Sequence, residues 1–283
     1  MKAHEIIAQA KDLPVVSETA RKLTIQLNQP DLHRDELVKT VRCDNILTAK
    51  LLRVCNSAEF AVRESVVSLD QALLLLGDNT IFRMVCAIGF GSSFGMTSPG
   101  QSTEANGLWA HSLSTGLGAE YLAEIECYGN FLPSAAFTAG LLHDIGKTVL
   151  STVMTPKHRA DIREKIAQES LSRIAAERAV LGTDHAEVGA CLLEKWALPN
   201  EIVEAVAHHH APVTKPQLQL SAAVYLANCA AHLSGAGPGW EAHVIQVKNS
   251  ASETLGMELP KVEEIISGIH NVMETLPQLM AAA

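Results

Sequence analysis

An all-α fold is predicted for this 283-residue chain, and three observations predict it. Apolar residues recur at helical spacing along most of the sequence, and no segment of useful length alternates at period two. Aromatic residues are only 4%, while Leu, Ala, Ile and Val are plentiful, as suits close-packed helices better than a β-sandwich. A hydrophobic content of 47% excludes a disordered chain, and the length allows one large domain or two small ones.

The elements follow in order. In SETARKLTIQLNQ, Ser17 is a suitable N-cap and Ala20, Leu23 and Leu27 share a face, until Pro30 ends the segment. Asp44 or Asn45 can cap ILTAKLLRVCN, whose stripe is Leu47, Leu51 and Val54. In SLDQALLLLG, Ser68 and Gln71 have capping-box spacing and Gly77 stands where a left-handed C-terminal residue belongs. A further helix is expected from about Thr80 to Ile88. Gly, Ser, Thr and Pro then dominate from Gly89 to Gly107, which predicts a linker or mobile loop. The expected organisation is an N-terminal helical subdomain over 1–97, a linker over 98–107 and a C-terminal helical subdomain over 108–283. In the latter, helices are expected at Leu108–Glu126, Ser134–Asp144, Ala160–Gln168, Leu171–Val180, Asp184–Trp196, Asn200–His209 and Gln219–Leu233. A breaker, GAGPG at 235–239, precedes two closing helices. The whole is a multi-helix bundle.

Charge and punctuation exclude several function classes. With 31 acidic and 22 basic side chains the formal charge is −9, against the basic surface that non-specific nucleic-acid binding requires. Gln9, Lys11 and Asp12 interrupt the N-terminal apolar stretch, so it is no secretory signal. No apolar run reaches the roughly 18–20 residues of a spanning helix; the nearest, Met84 to Met96, holds serines and glycines. The six cysteines are scattered without a CxxC pair, as expected of thiols in a reducing cytoplasm.

Two motifs near residue 90 are decoys. Gly91 to Gly95 satisfies G-x-S-x-G, but a nucleophile elbow needs a strand before the turn and helix is expected there. Gly89 and Gly91 begin a dinucleotide fingerprint that Phe94 breaks.

The 12 histidines carry more. LLHDIGK places His143 and Asp144 side by side where an apolar helix gives out, with Gly146 suited to a tight exit and Lys147 just beyond, placed to meet a phosphate. A charged pair there needs a compensating partner, because buried charge is costly. His111 lies in the apolar, small-residue segment LWAHSLSTGL; His185 stands at a helix start beside Asp184 and Glu187; His208, His209 and His210 end IVEAVAHHH. Each alone is explained by a core, capping or helix-dipole role. Together, one His per helix plus an adjacent carboxylate is how a bundle gathers metal ligands. His4, His33, His158, His232, His243 and His270 have no motif around them and read as ordinary surface or core residues.

In order and context, His111, His143-Asp144, His185 and the histidine pair near 209 resemble the HD superfamily of metal-dependent phosphohydrolases. LPVVSETARKLTIQL, DNILTAKLLRVCNSAEF, VVSLDQALLLLGDNTIFRMV, GLLHDIGK and GTDHAEVGACLLEKWALPNEIVEAVAHHHAP narrow the likeness to the HDOD family, the HD-related output domain of bacterial signalling proteins, over about residues 5–235. The resemblance implies metal ligands at His111, His143, Asp144 and the late position occupied here by Asn228. In a two-metal arrangement it adds His185, His209 and His210, with His208 as a neighbour. Asn228 is the departure: an amide oxygen coordinates without bringing negative charge. The sequence HHAPVTKPQ after the histidine pair lacks the block of the HD-GYP cyclic-di-GMP hydrolases.

A mostly imidazole site suits one or two divalent transition ions, iron, manganese, zinc or nickel. The implied chemistry is hydrolysis of a small phosphomonoester or phosphodiester, with Asp144 and Lys147 as the catalytic candidates. HDOD members are mainly regulatory, so the expectation is a cytoplasmic, stand-alone signalling protein, catalytically weak or inactive. Its expected partner is a signalling protein or a small phosphorylated ligand, with no nucleic acid and no membrane; with no receiver domain attached, its input comes from elsewhere. The alternative is an active phosphohydrolase.

Overall fold

The computed structural model of the protein describes residues 2–10, 13–14, 16–27, 34–60, 62, 65–94, 103–125, 131–211, 219–233 and 258–272. Among them every regular element is helical: α1 (Ala3–Gln9), α2 (Glu18–Leu27), α3 (Arg34–Arg42), α4 (Asn45–Cys55), α5 (Leu69–Leu76), α6 (Asp78–Gly91), α7 (Thr103–Glu124), α8 (Pro133–Leu142), α9 (Ile145–Val153), α10 (Pro156–Glu169), α11 (Arg173–Leu181), α12 (His185–Lys195), α13 (Asn200–His208), α14 (Gln219–Leu233) and α15 (Leu259–Val272), with 3-10 turns at Ala58–Phe60 and Ser92–Phe94. No single helix among the described residues is long and apolar enough to cross a membrane.

The caps lie close to where the sequence puts them. Asp44 accepts the Leu47 amide at 2.9 Å, and Ser68 accepts the Gln71 amide at 3.2 Å. The Gln71 side chain reaches back one residue further than a capping box requires, taking the Val67 amide at 2.9 Å. Gly77 closes α5 at φ 80°, ψ 160°, open to glycine but strained for other residues. Leu47, Leu51 and Val54 are buried, as are Ala20 and Leu23.

Several expectations are corrected. The predicted loop from Gly89 opens inside α6, which continues to Gly91. A Cβ on Gly89 would stand 2.2 Å from the Ala20 Cβ, so this glycine lets α2 and α6 touch and is not a breaker. Helix α7 begins at Thr103, inside the stretch assigned to the 98–107 linker; Gly107 within it is a tolerable cost of about 1 kcal/mol. The remainder of that linker, residues 98–102, lies outside the described residues. Helix α9 was not predicted at all. IGKTVLSTV is rich in β-branched residues, poor helix formers alone, and burial of Ile145, Val149 and Leu150 overrides that preference. Of the two closing helices, α15 is described; residues 234–257 and 273–283 are not.

One continuous apolar core runs from Ala3 to Ile269. In the C-terminal half α7 lies along α8 and α14, α15 crosses α7 and α14, and α12 packs on α9 and α13. In the N-terminal half α6 is central, flanked by α2, α4 and α5. The first helix does not stay with that half: α1 packs on α12 and α9. A buried ion pair also joins the halves, Arg83 Nε of α6 donating to Glu120 Oε2 of α7 at 2.6 Å. Burial pushes Glu120 up to about 7 despite Arg83.

Three predictions follow from this packing. A Cβ at position 146 would fall 1.9 Å from the His185 carbonyl oxygen, so Gly146→Ala should lower the thermal midpoint by an amount equivalent to about 1–3 kcal/mol or more. Gly107→Ala, with nothing within 4 Å, should be neutral or stabilising by about 0.5–1 kcal/mol. Glu120 titrates at about 7 when folded and about 4.5 when free. Its contribution to stability is therefore complete below pH 4.5 and is lost as pH rises towards 7. Denaturant unfolding of wild type should lose about 3 kcal/mol at most over that window relative to Glu120→Gln; parallel curves would show that Glu120 does not titrate there.

A candidate metal centre at a junction of helix ends

Helices approach one another closely at glycines, and these crossings place the histidines. A Cβ on Gly140 of α8 would lie 2.6 Å from the Thr115 oxygen and 2.8 Å from the Gly116 Cα of α7. Running antiparallel from that point, the two helices bring His111 and His143 together, with ring centroids 5.2 Å apart. At the next crossing Gly146 of α9 meets the His185 carbonyl and Gly189 of α12. Gly189 in turn faces Val206 of α13, which brings His185 and His209 within 5.6 Å, ring to ring. Gly146 is thus a contact glycine inside α9, not the helix exit expected from the sequence. His143 is the C-cap of α8 and Asp144 the N-cap of α9, so the HD pair forms the bend between two helices.

Two of the rings are aimed by the helix ends they terminate. The last carbonyls of a helix lack an intrahelical donor; His143 Nδ1 donates to Gly140 O and His209 Nδ1 to Val206 O, each at 2.7 Å. A carbonyl can only accept, so Nδ1 carries the proton and Nε2 turns its lone pair inward. His185 is aimed by a carboxylate: its Nδ1 donates to Glu177 Oε2 at 2.7 Å, and its amide donates to the same oxygen at 2.9 Å. Glu177 is held in turn by Arg173 at 2.6 Å.

Asp144 stands among the inward nitrogens and uses its two oxygens differently. Oδ1 lies 3.2 Å from His185 Nε2 and 3.7 Å from His209 Nε2. Oδ2 lies 3.3 Å from His143 Nε2, 3.8 Å from His111 Nε2 and 2.7 Å from Lys147 Nζ. His210 Nε2 is 2.9 Å from His185 Nε2. The ligand atoms of Asp144, His185, His209 and His210 all lie within 4.8 Å of one another, as do those of His111, His143 and Asp144. His208 is exposed and takes no part in either group.

Electrostatics keep Asp144 ionised among rings of unequal charge. Burial opposes the charged form of Asp144, yet the imidazole of His143, the ammonium of Lys147 and the His185 contact hold its carboxyl well below the usual range. Burial pushes His143 and His209 down against the pull of Asp144. His210 falls well below its ordinary value, through burial first and then its histidine neighbours. For His185 burial works the other way from the outcome: Glu177 and Asp144 outweigh it and raise the ring to about 9. Burial likewise fails to protonate Glu177, which His185 and Arg173 hold down at about 2.

The donor set therefore fits a metal ion. His143 Nε2, His209 Nε2, Asp144 Oδ1 and Asn228 Oδ1 are buried and make no hydrogen bond, an arrangement that costs stability unless something else satisfies those atoms. Asn228 lies on α14, one turn before His232, whose ring stacks on His111 at 4.2 Å between centroids. Three residues of this neighbourhood escaped the sequence reading. His232 was set aside as ordinary, although its i+4 spacing from Asn228 puts both on one helix face. Glu177 and Arg173 also went unnoticed, and a charged residue on the buried face of a short amphipathic helix was the available signal.

A family model of the HDOD domain matches residues 13–212. The chain belongs to the HDOD family. An HDOD domain protein of unknown function from Geobacter sulfurreducens has the same fold, with a TM-score of 0.76 and 24% identity over 98% of this chain and 96% of that one. An uncharacterized protein of Treponema pallidum is 24% identical over 208 residues, 74% of this chain. Ribonuclease Y of Thermus thermophilus is 32% identical over 128 residues, 44% of this chain. This HDOD chain spans 39% and 17% of the lengths of those two relatives.

Glu177 offers a direct check on the site. Removing a carboxylate that orients a ligating histidine typically costs about 10–100-fold in metal affinity. Glu177→Gln should therefore weaken Zn²⁺ binding by that factor in calorimetric titration, with circular dichroism confirming the fold. Unchanged affinity would remove His185 from the ligand set.

Proposed function

We propose that this chain is an HDOD-type regulatory protein that binds a divalent transition metal ion, with hydrolytic activity weak or lost. The observation that carries this reading is the state of Asp144. Lys147 sits on Oδ2 at 2.7 Å, and the late position where the HD pattern supplies a second carboxylate holds the neutral Asn228. In these surroundings a metal would be held by His111, His143, Asp144, His185, His209, His210 and Asn228 in one or two positions. Iron, manganese, zinc or nickel suits imidazole-rich donors better than magnesium does.

A bound divalent ion supplies a Lewis acid that polarises a phosphoryl oxygen and acidifies water. The chain's own groups do the rest. Gly140 and Val206 hold two imidazoles in the tautomer that presents Nε2, Glu177 fixes the ring of His185, whose Nε2 proton a metal would have to displace, and buried apolar helices exclude bulk water from Asp144. For hydrolysis Asp144 would also have to orient a nucleophile and Lys147 to meet phosphate charge, yet each already neutralises the other. The regulatory role draws further support from Ile46, Val67, Leu74 and Leu75, large apolar side chains left exposed in the N-terminal half, where a signalling partner could be bound. A small phosphorylated ligand at the metal is the other partner consistent with the site.

The second reading is an active metal-dependent phosphohydrolase, favoured by the converging buried nitrogens around Asp144 and by the likeness to a ribonuclease over part of the chain. One experiment separates the two. Untagged protein should contain metal and show the same slow turnover of generic phosphomonoesters and diesters as His143→Ala and Asp144→Ala. Metal-dependent turnover present in wild type and absent from both variants would establish the hydrolase instead.

A further inference from the structure

The two oxygens of Asp144 face unequal surroundings, and the inequality assigns an order of binding. We propose that the tightest metal position of this chain is on the Oδ1 side, formed by Asp144, His185, His209 and His210, and that the Oδ2 side with His111 and His143 is a weaker position. The inference rests on the reading that this cluster binds metal, and it names the half that does so first.

Three observations carry it. The first is competition for the carboxylate. Oδ2 is occupied by the Lys147 ammonium at 2.7 Å, so a dication bonding there must displace that ammonium and remain beside it, whereas Oδ1 faces ring nitrogens that can themselves become ligands, His185 Nε2 at 3.2 Å and His209 Nε2 at 3.7 Å. Like charges at such separations repel, and more strongly in a buried site than in water. The second is the donor count. Three imidazoles and a carboxylate oxygen lie within 4.8 Å of one another on the Oδ1 side, against two imidazoles and a carboxylate oxygen on the other. Asn228, on the helix whose His232 stacks on His111, would add only an uncharged amide there. The third is the support behind the rings. His185 donates Nδ1–H to the Glu177 carboxylate at 2.7 Å, itself pinned by Arg173 at 2.6 Å, which makes its Nε2 a stronger donor. His143 is backed only by the neutral Gly140 carbonyl. Access points the same way, since His210 is partly exposed while His111 and His143 are fully buried.

Visible absorption on titrating chelator-treated full-length protein with Co²⁺ tests this, because a low-symmetry imidazole and carboxylate environment gives intense d–d bands that need no turnover. The first equivalent should give that spectrum in wild type and in His111→Ala. His210→Ala, at the partly exposed ligand, should weaken it by about 100-fold or more, and His185→Ala likewise. Lys147→Gln and Asn228→Asp provide gains that misfolding cannot imitate: each should tighten the second equivalent by about tenfold and the first by less. Loss of the first equivalent in His111→Ala with retention in His210→Ala would overturn the order proposed. So would a first equivalent tightened by Lys147→Gln more than the second. Wild type that takes up no Co²⁺, Zn²⁺ or Mn²⁺ would instead sink the metal reading on which the order rests.

Discussion

The centre depends on helix backbones touching. At Gly146 there is no room for even a methyl group, because the His185 carbonyl and the Gly189 amide occupy the space where it would stand. The same holds where Gly140 lies on Gly116. Side chains at these crossings would hold the helix axes further apart, and nitrogens now 3–4 Å from Asp144 would move out of reach. Close-packed interiors transmit such shifts directly. The small residues of α7 and α8 are therefore part of the site as much as the histidines are.

A second constraint is charge. Asp144 and Glu177 are buried carboxylates, and each survives ionised because cations lie against it. Glu177 has Arg173 and His185; Asp144 has Lys147 and His185. Breaking one member of such a group leaves the remainder uncompensated, which is costlier than never having built it. The group resembles a designed ligand set in that three of its rings, His143, His185 and His209, are each oriented by a partner on the far side, and helix ends provide two of those partners at no extra cost in residues.

How far the primary structure could be read is clearest from particular residues. His111, His143, Asp144, His185, His209 and His210 were all identified from helix-end position and motif order, and the structure gathers them around one carboxylate. Asp44, Ser68 and Asp184 were legible as caps because capping is local chemistry, decided within four residues; Asp184 accepts the Glu187 amide at 2.9 Å. Helix α9 was illegible because its β-branched residues are poor local helix formers and only burial makes them helical. Gly89 and Gly146 were misread as breakers for the same reason: a glycine that ends a helix and one that admits a neighbouring helix look alike in one dimension.

The sequence by itself determined the helical class, most helix starts and the histidines that gather around Asp144, since periodicity, capping and motif order can be read along the chain. Only the tertiary structure decided which oxygen of Asp144 faces which histidines and that Lys147 lies on one of them. Only there, too, does Glu177 stand behind His185, and His232 against His111. Those are relations between helices remote in the chain, set by how closely backbones approach, and spacing along a sequence carries no measure of that distance.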